Sequence, residues 1–121
     1  MHQNWYSVWK PKLDVRFYLS AAGNEPVRDW LMTLPKRARR AIGEDIKTVQ
    51  IGWPLGMPVV RKLEPGLWEI RCDIPDGIAR VFFTALGATM ILLHGFVKQS
   101  NATPKSDLAT ARQRKNEVLY G

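Results

Sequence analysis

The chain has 121 residues, 45% of them hydrophobic and 10% aromatic, which suits one domain with a single core and is too apolar for a disordered chain. Eighteen Lys and Arg against eleven Asp and Glu leave a net charge of +7 and a pI near 9.9, which points to a polyanionic partner. The longest apolar run, Met90 to Leu93, falls far short of the roughly 20 residues of a membrane span, and the single cysteine, Cys72, excludes an intrachain disulfide.

Cys72, His2 and His94 are too scattered to read as a metal site, so no cofactor or metal is expected. We expect one domain over residues 1–121, with 1–13 extended or flexible. Met1 to Lys12 is polar and Trp-studded and lacks the pattern of a signal peptide, so the expected location is cytoplasmic.

In chain order, Asp14 to Ser20 alternates as a half-buried strand, with Val15, Phe17 and Leu19 on the core side. Asn24 reads as an N-cap, and Pro26 opens a short helix whose Val27, Trp30, Leu31 and Leu34 share one face. A second helix, about Lys36 to Ile51, starts with Lys36, Arg37, Arg39 and Arg40, where the helix dipole disfavours cations. That group is either a solvated face or a contact for phosphate or a partner protein. Gly52 to Pro58 holds two Gly and two Pro and must be a loop.

Leu67 to Ile74 alternates cleanly, with Trp68, Ile70, Cys72 and Ile74 inward and Glu69, Arg71 and Asp73 outward. A hairpin with Asp76-Gly77 as its two-residue loop puts Asp73 opposite Arg80 and Arg71 opposite Phe82, and turns Ala79, Val81, Phe83 and Ala85 inward. In the last strand, Thr89 to Lys98, Ile91, Leu93, Gly95 and Val97 suit the core. A three-residue loop Gly87-Ala88-Thr89 then sets His94 beside Phe82 and Phe96 beside Arg80 on the open face. Thr103 and Pro104 begin a C-terminal helix with Leu108, Ala111, Val118 and Leu119 inward.

The non-core face therefore gathers Arg71, Arg80, His94 and Lys98, interleaved with Phe82 and Phe96, with Lys62 arriving from the preceding segment. Cations among aromatics suit single-stranded RNA: guanidinium groups hold phosphate, rings stack bases, and the 2′-OH is the substrate's own nucleophile. Metal-free cleavage needs proton removal, stabilisation of the phosphorane and protonation of the leaving 5′-oxygen, tasks that Lys, Arg and His can share. The plain alternatives are that Arg71 and Arg80 pair with Glu69 and Asp73, and that His94 is a core histidine. On this register Arg80 projects onto an open face, so its removal should cost under about 1 kcal/mol. Phosphate-cradling Gly-Lys-Ser, His-Glu-x-x-His and Gly-x-Ser-x-Gly motifs are absent from the sequence.

Arg16-Phe17-Tyr18, Gly23-Asn24-Glu25-Pro26, Gly52 to Pro58, Arg61-Lys62-Leu63, Leu67-Trp68-Glu69-Ile70-Arg71, Ala79-Arg80-Val81 and Leu93-His94-Gly95-Phe96-Val97-Lys98 occur in this order. The series resembles phage-derived HigB-like toxins of the RelE/ParE superfamily. That resemblance implies an α+β RelE-like fold, with two N-terminal helices and a C-terminal helix packed around a twisted, mainly antiparallel sheet. It also implies a type II toxin that cleaves mRNA on the ribosome and is restrained by a helix-turn-helix antitoxin. By position, Lys62, Arg71, Arg80, His94 and Lys98 become the catalytic candidates, and Arg61, Phe82 and Phe96 the RNA-binding ones. The chain departs from the resemblance after Lys98, where Gln99 stands in place of a second lysine. A non-enzymatic nucleic-acid-binding phage accessory protein is the alternative.

Overall fold

The computed structural model describes residues 11–98 and 104–121. Among these, five strands form one sheet in the order β1-β5-β4-β3-β2, comprising β1 (Asp14–Phe17), β2 (Val60–Glu64), β3 (Leu67–Ile74), β4 (Gly77–Leu86) and β5 (Thr89–Lys98). β1 runs parallel to β5, and every other pairing is antiparallel. Three helices accompany it: α1 (Pro26–Met32), α2 (Lys36–Gly52) and α3 (Lys105–Tyr120).

The helices cover both faces of the sheet, which corrects the expectation that one face would stay open. On the first face, Val27 of α1 and Ile42, Ile46 and Val49 of α2 pack against Ile70, Cys72, Ala79, Val81, Phe83, Met90 and Leu92. On the second, α3 sets Leu108, Ala111 and Val118 over Leu67, Phe82, Leu93 and Phe96. Burying apolar area on two faces explains why β4 reads as a nearly continuous apolar run rather than a clean alternation.

Both hairpins differ in detail from the sequence expectation. The β3–β4 turn is Pro75-Asp76, because Ile74 pairs with Gly77; Arg71 therefore faces Arg80, and Asp73 faces Ile78. Gly77 has φ 143°, a value L side chains rarely adopt, which fits glycine as the first residue past the turn. The β4–β5 loop has two residues, Gly87 and Ala88, and the lost residue returns as a bulge at Leu93. The bulge inverts the strand before it. Met90 and Leu92 enter the first core, whereas Ile91 and Leu93 join the second, the reverse of the expected assignment for all four. Beyond the bulge, His94 pairs with Phe82 and Phe96 with Arg80, as expected.

Smaller corrections concern the N-terminal half. β1 stops at Phe17; Tyr18 is buried and Leu19 is exposed, the opposite of the expected alternation. Glu25, not Asn24, occupies the cap of α1 and makes no side-chain capping bond, while Pro26 starts the helix as expected. Leu13 is buried in the first core, and residues 1–10 of the expected flexible start lie outside the described residues. Thr103, the expected cap of α3, also lies outside them; the helix follows Pro104.

Gly95 is fixed by packing. A Cβ placed there would sit 2.3 Å from the Trp30 ring, so α1 can rest on β5 only where the strand has no side chain.

Candidate nucleic-acid interface

The second face of the sheet carries the cations. β3 contributes Glu69 and Arg71, β4 Arg80 and Phe82, β5 His94, Phe96 and Lys98, and β2 Arg61, which pairs in register with Glu69. Arg80 sits at the middle of this array, with Arg71 beside it on one strand and Phe96 on the other. Met57, Pro58, Val59, Arg61, Glu69, Arg71 and Arg80 line a cleft at this end of the sheet.

Arg80 is not the exposed residue expected from the sequence. It is only 5% exposed, and its Nη1 donates to Glu69 Oε2 at 3.1 Å. Glu69 is itself 3% exposed, and its other oxygen, Oε1, lies 3.4 Å from Arg61 Nη2. One carboxylate thus faces two guanidinium groups. The ion-pair alternative for Arg80 is the observed geometry, and the expectation that its removal would cost little stability is corrected, because truncation strands a buried carboxylate.

Arg71 is exposed and directly opposite Arg80. Like charges in directly opposed positions destabilise a sheet, and the Glu69 carboxylate paired with Arg80 offsets part of that repulsion. Lys98 adds to this field. Its ammonium is held below the ordinary lysine value, first by desolvation and then by Arg80 and Arg71.

Three expected members stand apart. Lys62 pairs with Trp68, a residue of the first-face core, so it projects from the opposite side of the sheet to Arg61 and Arg71. Phe82 is fully buried beneath α3 and cannot stack a base. His94 Nε2 lies 2.5 Å from Asp107 Oδ1, and Arg114 Nη1 lies 3.5 Å from its Nδ1 while donating to Leu93 O at 2.8 Å. His94 therefore docks α3 at the bulge and stacks on Phe96, which pairs in register with Arg80. Phe96 is half-buried at the border of the basic group.

Glu69 as the hub and the Asp107 and Arg114 contacts were not foreseen as site features. A signal for Glu69 existed in its place two residues before Arg71 on the polar side of β3. None existed for Asp107 or Arg114, which come from a distant helix.

The four cations at the start of α2 lie on the helix pair, across the sheet from Arg80; Lys36, Arg37 and Arg40 are exposed, and Arg39 Nη1 contacts Met32 Sδ at 3.4 Å. Cys72 is buried, and burial together with Asp45 pushes its thiol far up, which leaves it inert as a nucleophile. Among the described residues no helix is long and apolar enough to cross a membrane.

A mainly antiparallel sheet between helices, with a basic cleft at one end of its second face, defines a small α+β protein. The chain belongs to the phage-derived protein Gp49-like family (DUF891), whose model matches residues 29–116, a RelE-like family associated with toxin–antitoxin systems. No curated protein matches the chain.

Proposed function

We propose that the chain is the toxin of a type II toxin–antitoxin pair, of the HigB kind, and that it cleaves mRNA on the ribosome without a metal. The observation that carries this reading is the convergence of Arg61, Arg71, Arg80 and Lys98 about one cleft, with Arg71 and Arg80 opposed at a cost that a bound phosphodiester would offset. In this reading the exposed Arg71 holds the scissile phosphate, and Arg80, fixed beneath it by Glu69, adds its charge to stabilise the phosphorane. Lys98, whose ammonium is held below the ordinary lysine value, exchanges the proton with the 2′-OH, and Phe96 supports the neighbouring base. The partner is a helix-turn-helix antitoxin, and the setting is cytoplasmic. Of the expected catalytic set, His94 serves to hold α3, and Lys62 lies on the other side of the sheet and takes no part in the cleft.

Primer extension on cellular mRNA after brief induction tests the reading. New, discrete 5′ ends that depend on translation are the expected result; unchanged mRNA in cells that make the folded protein would overturn it.

A second reading, a phage accessory protein that binds nucleic acid without cutting it, draws on a specific observation. His94 is engaged by Asp107, and Lys62 lies across the sheet, which leaves Lys98 as the one lysine or histidine beside the arginines among the described residues. It predicts binding to single-stranded RNA with no new 5′ ends.

A further inference from the structure

Glu69 is the one carboxylate in the basic cleft among its lining residues, and its two oxygens face arginines of very different standing. Oε2 meets Arg80, whose side chain is 6% exposed; Oε1 meets Arg61, whose side chain is 45% exposed on the edge strand β2. The first contact is locked inside the sheet face. The second is long and solvent-screened, so this contact by itself is weak and can give way to another anion. From this asymmetry we infer that Glu69 is a positioning residue with two jobs: it anchors Arg80 permanently, and it holds Arg61 until a phosphodiester takes that arginine over.

The chemistry follows from the charges. With the cleft empty, Glu69 neutralises part of the field of Arg61, Arg71, Arg80 and Lys98, which lets four cations share a small area. When a phosphate arrives, Arg61 turns from Oε1 to a phosphate oxygen, and a fork of N–H donors closes from the β2 side while Arg80 stays aligned from beneath. The carboxylate left behind repels the bound phosphate. Glu69 therefore weakens ground-state binding while it fixes the geometry of Arg80, which matters most for the crowded phosphorane.

This inference rests on the reading of the cleft as an RNA-cleaving site, but its binding half does not require cleavage. A labelled single-stranded 2′-O-methyl RNA, which lacks the attacking hydroxyl, reports affinity alone. Glu69→Gln keeps the size and one acceptor for Arg80, removes the negative charge and ends the ion pair with Arg61. The expected signature is opposed: severalfold tighter binding of the 2′-O-methyl RNA, together with a cleavage rate lower by on the order of ten- to a hundredfold, as misplacement of a catalytic group commonly produces. A purely structural Glu69 would lose both together, and that result overturns the proposal. Adding Arg61→Gln to the variant should erase the gain in affinity; a gain that persists also overturns it.

Because Glu69→Gln could fail to fold, the exchange is also read on the wild-type protein. In arginine Nε–Hε NMR spectra, addition of the 2′-O-methyl RNA should shift the Arg61 signal strongly. An Arg61 signal that does not respond while the RNA binds overturns the exchange. If the affinity signature holds and no variant or wild-type protein cleaves RNA, the positioning role stands and the ribonuclease reading fails.

Discussion

Arg80 donates to Glu69 at 3.1 Å in the interior of the second sheet face, with both side chains almost wholly covered. Removing one partner of a buried pair leaves the other charged and without solvent. Arg80→Ala should therefore destabilise the fold by about 3 kcal/mol, the lower end for broken buried pairs, because Arg61 still faces Glu69. Chemical denaturation measures this directly; a loss below about 1 kcal/mol would mean that solvent reaches Glu69 freely.

Gly95 lies under the Trp30 ring, and Gly95→Ala forces that ring away from β5. A cost of about 1–3 kcal/mol is expected from overpacking. Combining it with Trp30→Leu, which makes room for the new methyl group, should cost less than the two separate losses added together. Thermal melts of the single and double variants check the coupling, and strict additivity would refute the contact.

Glu64 ties α3 to the β2–β3 turn, accepting from Lys115 Nζ at 2.9 Å and from Arg112 Nε at 2.5 Å. These bonds, Lys115 first, hold its carboxyl below the ordinary value of 4.5. A depressed folded pKa stabilises the protein above the unfolded pKa, and that contribution is lost as pH falls through the folded pKa. The difference in melting temperature between wild type and Glu64→Gln should be full near neutral pH and shrink progressively below about pH 4.5. A difference that grows on acidification would contradict the assignment.

His94 holds α3 rather than facing the cleft, through Asp107 and the neighbouring Arg114. Asp107→Asn, which keeps the shape but weakens the charge-assisted bond, should loosen the start of α3. Amide hydrogen exchange there should accelerate while exchange in α2 stays unchanged. Equal acceleration in both helices would instead indicate global destabilisation.

The strand pattern of β3 and the site-face membership of Arg71, Arg80, Phe96 and Lys98 were legible because alternation with period two survives a shift of hairpin register by one residue on each strand. The pairing of His94 with Phe82 was legible for a less direct reason: a two-residue turn plus a bulge at Leu93 gives the same final register as the expected three-residue loop. The bulge itself left no sequence signal, so Met90 to Leu93 was assigned to the wrong faces. Phe82 and His94 were misjudged because α3, distant in sequence, covers them. The side taken by Lys62 is legible only from the pairing of β2, because once Val60 and Arg61 are paired with Ile70 and Glu69 the position of Lys62 on the far side follows.

Under the proposed function the exposed and opposed Arg71 meets RNA phosphate, and Arg71→Ala isolates that role, since removing this side chain leaves the Arg80–Glu69 pair intact. Its stability should change by under about 1 kcal/mol. The decisive measurement is the map of mRNA 5′ ends in cells induced for this variant, set beside wild type at equal protein level. Discrete ends that the proposed function expects of the wild type should vanish in Arg71→Ala; ends that persist at wild-type abundance from a folded Arg71→Ala protein would refute the role proposed for Arg71.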